Sequence, residues 1–433
     1  RVSRQAKSGD VAVLVLDETL FAFLLADSRP RWQVFLRCAA PFSAINPYTP
    51  YRAGDVPPEM YFGRDDESRS LQSESGSCLV YGGRQLGKSA LLRRTERQFN
   101  HPERHHYAWV VDIKRYGDLS QPADLIWREI IALLDATKLK GQKSPATITP
   151  ENALTYVKTL FSTNPELRVL IMLDESDNFV EADARQRFSN IEIFRQLMSE
   201  TERRFKVVLA GLKTVQRFQS LPNQPLAHFG SPIRIGPLAP RAAQALVRQP
   251  FEALGYAFAD DAIILTILSY TNYHAGLVQL FCHELLKVLH QRKPDDGAPP
   301  FAITAADVER VFRNQETRDS ILQRFDWTLA LDERYQAIAW SMVSDQSGAA
   351  DSSAHAYDPS EIRNLVHENW PAGFAALDAD AFRGVLNEME GLGVLARSNT
   401  AYRLRSPNVA CLKCLVADRL EALRHKRPSP SFT

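Results

Sequence analysis

Gly82-Gly83-Arg84-Gln85-Leu86-Gly87-Lys88-Ser89 is the stretch on which the reading of this chain turns. It fits G-x-x-x-x-G-K-[ST] residue for residue. Its flanks agree: the apolar run Cys78–Tyr81 leads in as a strand, and Ala90-Leu91-Leu92 opens a helical pattern. Glycines let backbone N–H groups turn inward and approach phosphates closely, and the helix N-terminus adds a partial positive charge. Lys88 is placed to neutralise β and γ oxygens, and the Ser89 hydroxyl to ligate Mg²⁺. Gly82 to Ala90 is therefore expected to hold a nucleoside triphosphate, ATP or GTP, with Mg²⁺.

Working outward, the site needs carboxylates delivered by a later strand. Arg168-Val169-Leu170-Ile171-Met172-Leu173-Asp174-Glu175 carries two to the C-terminal edge of an apolar run. Asp174 is expected to hold Mg²⁺ through water and Glu175 to polarise the attacking water as general base. The competing reading is an acidic cap on the next helix. Val11–Glu18 has the same form, an apolar run ending in Asp17-Glu18, but lies upstream of the phosphate loop. An ordinary strand followed by a helix over Leu20–Leu25 accounts for it.

Strand patterns recur at Cys78–Tyr81, Tyr107–Ile113, Val169–Asp174, Lys206–Ala210 and Ile233–Ile235. Helical patterns lie between them near Ser89–Phe99, Ala123–Leu139, Glu151–Phe161, Phe188–Arg203 and Thr214–Ser220. Such alternation predicts an α/β fold, a parallel sheet covered on both faces. After Pro240 the strand patterns stop, and Arg241–Leu254, Asp261–Ser269, Leu277–His290 and Thr304–Phe312 read as a helical lid. Helical patterns at Asp332–Met342, Pro359–Glu368 and Asp378–Glu390 precede a short strand pair, Gly393–Arg397 and Ala401–Arg405, and a last helix. That is the pattern of a winged helix. The expected boundaries are an N-terminal segment or connector over 1–56, the P-loop domain over 57–239, the lid over 240–324, the winged helix over 325–423 and a disordered tail over 424–433.

Composition narrows the classes. The chain has 433 residues, enough for two to three domains, and 45% are hydrophobic, enough for several cores. The net charge of +1 gives no whole-chain basic field for nucleic acid or membrane, so any such site is local. Five scattered cysteines argue against a disulfide scaffold and for a reducing, cytoplasmic setting. Cys411 and Cys414 form a lone CxxC with no second pair to complete a metal site. No apolar run reaches the ~20 residues that span a bilayer. The start, Arg1 to Asp10, has neither an initiator Met nor an apolar signal core, and the chain reads as a fragment or processed product.

Taken together, these residues resemble the AAA+/STAND branch of P-loop ATPases, and are most similar to its archaeal-ATPase and origin-initiator-like groups. The resemblance runs from about 57 to 423. It rests on Tyr61-Phe62-Gly63-Arg64-Asp65-Asp66-Glu67, like the F-x-G-R-x-x-E box, and on the two motifs at Gly82–Ser89 and Leu173–Glu175. Further support comes from Val207–Gly211 followed by Leu212-Lys213-Thr214 at the sensor-1 position, from Ile235-Gly236-Pro237-Leu238 as the linker into the lid, and from Thr271-Asn272-Tyr273-His274 opening a lid helix. It implies a three-layer AAA+-like parallel sheet with a helical lid, ATP or ADP with Mg²⁺ as ligands, and regulated hydrolysis. Arg64 is implied near the base or ribose, the alternative being a salt bridge with Asp65, Glu67 or the lid. Tyr61 and Phe62 either stack near the adenine or pack a core. Lys213 or Thr214 is the candidate γ-phosphate sensor, His274 the nearest polar group to the lid sensor, and Arg217 a candidate finger toward a neighbouring subunit. Each also has a bland reading, as a solvated or helix-start residue.

The resemblance leaves two functions open. One is a STAND-like switch in which nucleotide state moves lid and winged helix and permits assembly as a homo-oligomer or with a partner protein, as in bacterial defence and signalling. The other is an initiator-like or transposition-helper ATPase that places the winged helix, with Arg403 and Arg405, on duplex DNA. No membrane partner is expected.

Overall fold

A computed structural model describes residues 17–26, 46–50, 54, 56–114, 125–139, 144–212, 225–292, 300–347, 355–405 and 416–424. The expected strand at Val11–Leu16, the helix at Thr214–Ser220, Cys411, Cys414 and the tail beyond 424 lie outside the described residues. So do Lys213, Thr214 and Arg217. The chain divides into two compact units. One holds the described residues up to Gly63 together with Pro237–Ala330, Arg405 and residues 416–418; the other holds Arg64–Gly236 and Leu331–Leu404 with the described residues from Arg419 on.

In the first unit, α1 (Glu18–Ala26) begins where the Asp17 carboxylate accepts the Leu20 N–H at 2.7 Å. Asp17 thus acts as an N-cap. A helical group follows: α8 (Pro240–Ala253), α9 (Asp261–Thr271), α10 (Ala275–Arg292), α11 (Ala305–Arg313) and α12 (Gln315–Leu329). Asp260 caps α9, and a capping box of Thr304 and Asp307 starts α11. The expectation that strands stop after Pro240 is corrected: β6 (Tyr256–Phe258) and β7 (Phe301–Ile303) pair in parallel. Each is a three-residue segment among helical patterns, and its partner lies far along the chain. Asn46–Pro50 is fastened to this unit by Tyr48, which is 1% exposed and whose hydroxyl donates to the carbonyls of Leu246 and Val247.

In the second unit a five-stranded parallel sheet has the order β2-β3-β4-β1-β5. The strands are β1 (Leu79–Gly82), β2 (His106–Asp112), β3 (Arg168–Asp174), β4 (Phe205–Gly211) and β5 (Ile233–Ile235). All five coincide with the expected runs to within a residue or so. β3 is apolar without interruption because both its faces are covered. Val169, Ile171 and Leu173 pack with Trp127 and Ile130 of α4 (Ile126–Ala136), Tyr156 and Val157 of α5 (Pro150–Thr163), and Ile191 and Phe194 of α7 (Ser189–Glu200). Leu170 and Met172 pack with Leu71 of α2 (Asp65–Gln72) and Leu91 and Leu92 of α3 (Lys88–Phe99). The three-layer α/β expectation holds. Two helices were not anticipated: α2, and α6 (Asp177–Arg185), which starts directly after the β3 carboxylates.

The same unit contains α13 (Glu333–Ser347), α14 (Pro359–Asn369) and α15 (Ala379–Gly391), then the antiparallel hairpin β8 (Leu395–Ser398) and β9 (Ala401–Leu404). The hairpin turns at Asn399, a residue that tolerates its φ of 55°. In α16 (Val416–Arg424), Leu420 and Leu423 are buried and Arg424 donates to Asn369. No described helix is long and apolar enough to cross a membrane.

Candidate nucleotide-binding and hydrolysis site

The sheet order places the site. β1 lies between β4 and β5, so β4 separates it from β3, and the C-terminal ends of β1 and β3 face the same edge with one strand between them. At the end of β1, Gly82 pairs with Ile235. A Cβ there would stand 2.2 Å from the Ile235 carbonyl oxygen, so no other residue fits. The loop then turns through Gln85 at φ 57° and Gly87 at φ 102°, the N-cap of α3. Gly87 has no side chain, and α3 has no side-chain cap, so the loop surrounds an uncapped helix N-terminus. Leu86 and Ala90 are buried and pin the loop to the core, whereas Arg84 and Gln85 are exposed and Ser89 is half-buried.

Lys88 is the first residue of α3 and is 7% exposed. Its Nζ donates to the carbonyls of Gly82 at 2.8 Å and Gly83 at 3.0 Å, which holds the ammonium across the mouth of the loop. Burial pulls its pKa below the usual lysine range, while Asp174, Glu175 and Asp177 act the other way. A buried cation with three carboxylates in its field and an uncapped helix start is the environment that a phosphate chain with a bound cation would match.

Asp174 ends β3 and is 6% exposed; its carboxylate accepts the Glu175 N–H at 3.0 Å. Glu175 has left-handed backbone, φ 55°, and is half-buried. Burial pushes its carboxyl up, Lys88 opposes the rise, and Asp174 and Asp177 add to it. A raised carboxyl pKa strengthens it as a proton acceptor. The next two residues, which the sequence reading passed over, close the turn. Ser176 is fully buried and donates both its N–H and its hydroxyl to the Ala210 carbonyl, each at 2.9 Å; Asp177 accepts the Leu212 N–H at 2.7 Å. The spacing D-E-S-D was visible, but the β4 partners were not.

The residue set fits magnesium chemistry. Among the described residues, no group of three His, Cys, Asp or Glu side chains could hold a metal alone. Mg²⁺ commonly takes one or two protein oxygens and completes its shell with waters and phosphates, a demand that Ser89 and Asp174 could meet.

Three other expected residues have contacts of their own. Arg64, at φ 66°, is the N-cap of α2; its guanidinium pairs with Glu67 at 3.1 Å and donates to the Gly236 carbonyl. Glu67 is one of the ion-pair partners expected for Arg64. Phe62 packs on the apolar core of the first unit. His274 belongs to that unit too, where its Nδ1 accepts the Leu277 N–H at 3.4 Å at the start of α10. A different neighbour meets the loop. A Cβ on Gly83 would stand 2.4 Å from the Leu392 carbonyl oxygen, just beyond α15, and Glu390 pairs with Arg234 of β5 at 3.1 Å.

Residues 71–218 match the family described as AAA domain. No curated protein matches the chain. Among solved structures, the chain is similar to a Walker-type ATPase of Pyrococcus abyssi, at 14% identity and TM-score 0.53, over 86% of this chain and 99% of that one. It is also similar to the ORC2 protein of Aeropyrum pernix in its ADPNP–ADP complexes, at 13% identity and TM-score 0.49, over 86% and 97%. With its phosphate-loop motif, its paired carboxylates and its sheet order, the region of residues 71–218 matches the AAA domain and has an α/β P-loop fold.

Proposed function

We propose that this protein is an ATP-binding and ATP-hydrolysing switch in which nucleotide state governs how the C-terminal helices and hairpin sit on the phosphate loop. The observation that carries this reading is the meeting of Gly83 with the Leu392 carbonyl, beside the Arg234–Glu390 ion pair. A loop that must close around phosphates cannot change shape there without disturbing the segment that follows α15. We read α13 to α15 with β8 and β9 as a winged helix.

In this reading the loop N–H groups and Lys88 bind the β and γ phosphates, with the Lys88 ammonium moving from the Gly82 and Gly83 carbonyls onto phosphate oxygens. Mg²⁺, when bound, neutralises phosphate charge and orients the leaving group. Ser89 and Asp174 hold it, and Glu175 takes a proton from the attacking water. The first test is assembly size, by light scattering, with ADP and with a non-hydrolysable ATP analogue. A switch changes its assembly state or its protease-sensitivity pattern between the two; identical behaviour in both measurements sinks this reading.

A second reading, a DNA-bound initiator-like ATPase, draws on the hairpin. Arg403 is exposed opposite Ala396, and Arg397 is exposed on the neighbouring strand. Such a wing would contact phosphates of duplex DNA. Affinity that falls steeply with salt and needs Arg403 and Arg405 would favour it; no measurable affinity at low salt would exclude it.

A further inference from the structure

We propose that Asp177, together with Ser176, is a positioning residue for hydrolysis: it fastens the turn after β3 to the end of β4 and so holds Glu175 in the backbone conformation that the reaction needs. This rests on the reading of Glu175 as general base.

Glu175 is a non-glycine residue at φ 55°. An isolated left-handed residue costs ~1 kcal/mol or more, and persists where its surroundings over-determine it. The bonds that over-determine it flank it on both sides. Before it, the Asp174 carbonyl accepts the Ile113 N–H at 3.0 Å, which ties the end of β3 toward β2. After it, Ser176 donates twice to the Ala210 carbonyl, and Asp177 accepts the Leu212 N–H. Ser176 occupies the N-cap position of α6 but makes no side-chain cap bond. Its hydroxyl is directed to β4 instead, although capping its own helix is what a serine here would ordinarily do.

The bond from Asp177 reaches 35 residues along the chain. Leu212 immediately precedes Lys213 and Thr214, one or the other of which is the candidate γ-phosphate sensor. One carboxylate thus links the segment bearing the base to the strand end from which the sensor residues continue. An anchored Glu175 supplies reacting geometry, which acts on turnover; nucleotide affinity depends on the loop and Lys88. A misplacement of about 1 Å can cost on the order of 100-fold in rate.

The test compares Asp177→Ala, Asp177→Asn and Ser176→Ala in the full chain. Measured quantities are kcat and KM for ATP, nucleotide affinity, and hydrogen exchange at the Leu212 amide. Asp177→Ala is expected to lower kcat about 10- to 100-fold with KM and affinity within about twofold, and to speed exchange at Leu212. Asp177→Asn keeps an oxygen that can accept the Leu212 N–H, so it should recover most of kcat and the slow exchange. Ser176→Ala should fall between the two. Wild-type kcat in Asp177→Ala overturns the proposal. An equal loss in Ala and Asn overturns it as well, since charge rather than fastening would then be at work. Glu175→Gln separates this from the underlying reading: if it hydrolyses at the wild-type rate, the base assignment itself fails, whereas a slow Glu175→Gln beside a fast Asp177→Ala defeats the present proposal alone.

Discussion

Lys88 and Lys206 are both buried in the second unit, at opposite ends of the same sheet, and both donate to backbone carbonyls. Lys88 follows the C-terminal end of β1 and bonds the Gly82 and Gly83 carbonyls. Lys206, near the N-terminal end of β4, is 3% exposed and bonds the carbonyls of Leu71 at 3.0 Å, Ser73 at 2.6 Å and, more weakly, Ser70 at 3.4 Å. Burial lowers both pKa values, that of Lys206 to about 8. Burial and partner type therefore do not tell a binding lysine from a structural one. The surroundings do. The carbonyls on Lys206 belong to the last turn and C-cap of α2, the negative end of a helix, where a cation is the natural complement. Those on Lys88 belong to a glycine loop at the positive end of α3, with Asp174, Glu175 and Asp177 in its field. A phosphate can replace the carbonyls on Lys88, whereas Lys206 faces a helix terminus that would repel one.

The comparison can be broken by substitution. The largest effect is expected from Glu175→Gln, which acts on the Lys88 end alone: single-turnover hydrolysis should slow by about 100- to 10,000-fold while nucleotide affinity holds. Lys88→Ala should weaken binding of a fluorescent ATP analogue by about 100-fold, or about 2.8 kcal/mol, with little change in the denaturation midpoint. Lys206→Ala should do the reverse. Orphaning the carbonyls at the end of α2 is expected to cost about 2–3 kcal/mol of stability in urea unfolding, with nucleotide affinity unchanged. Were Lys206→Ala to weaken nucleotide binding tenfold, the two ends could not be separated.

Smaller effects sharpen the contrast. Gly83 occupies a position where the phosphate motif accepts any residue, yet here the Leu392 carbonyl leaves no room for a Cβ. Gly83→Ala should loosen the segment after α15 by about 1–2 kcal/mol, read as faster hydrogen exchange at 390–394, while nucleotide binding persists. Arg403→Ala should leave stability within about 0.5 kcal/mol, because Arg403 is exposed; any DNA affinity would lose about one unit of salt slope.

The legible parts of this molecule share a feature. Gly82 to Ser89 could be read because the motif, the entering strand and the leaving helix are contiguous, and each N–H that a phosphate needs belongs to that segment. The inner strands of the large sheet were legible because strands buried on both faces read as largely apolar runs, Val169–Leu173 most plainly. β6 and β7 were not, since each is a short segment among helical patterns whose strand partner lies far along the chain. α6 was missed because Asp177–Arg185 is short and mostly polar, and its register depends on where β3 ends. The bond from Arg64 to the Gly236 carbonyl was not legible, because its partner lies 172 residues away.

Local sequence is enough to give the parallel α/β class and to propose the phosphate loop, its lysine and serine, and the two carboxylates at the end of β3. These follow from glycine sterics, helix-terminus electrostatics and hydrophobic periodicity, which act between chain neighbours. The tertiary structure decided which strand separates Asp174 from the loop, which buried lysine faces a helix start rather than a helix end, what lies against Gly83, and what holds Glu175 in place. Those depend on hydrogen bonds and packing between residues far apart in sequence, such as Asp177 with Leu212 and Lys206 with Leu71. Only the folded sheet brings such pairs within reach, because closing long loops costs entropy that no local pattern records.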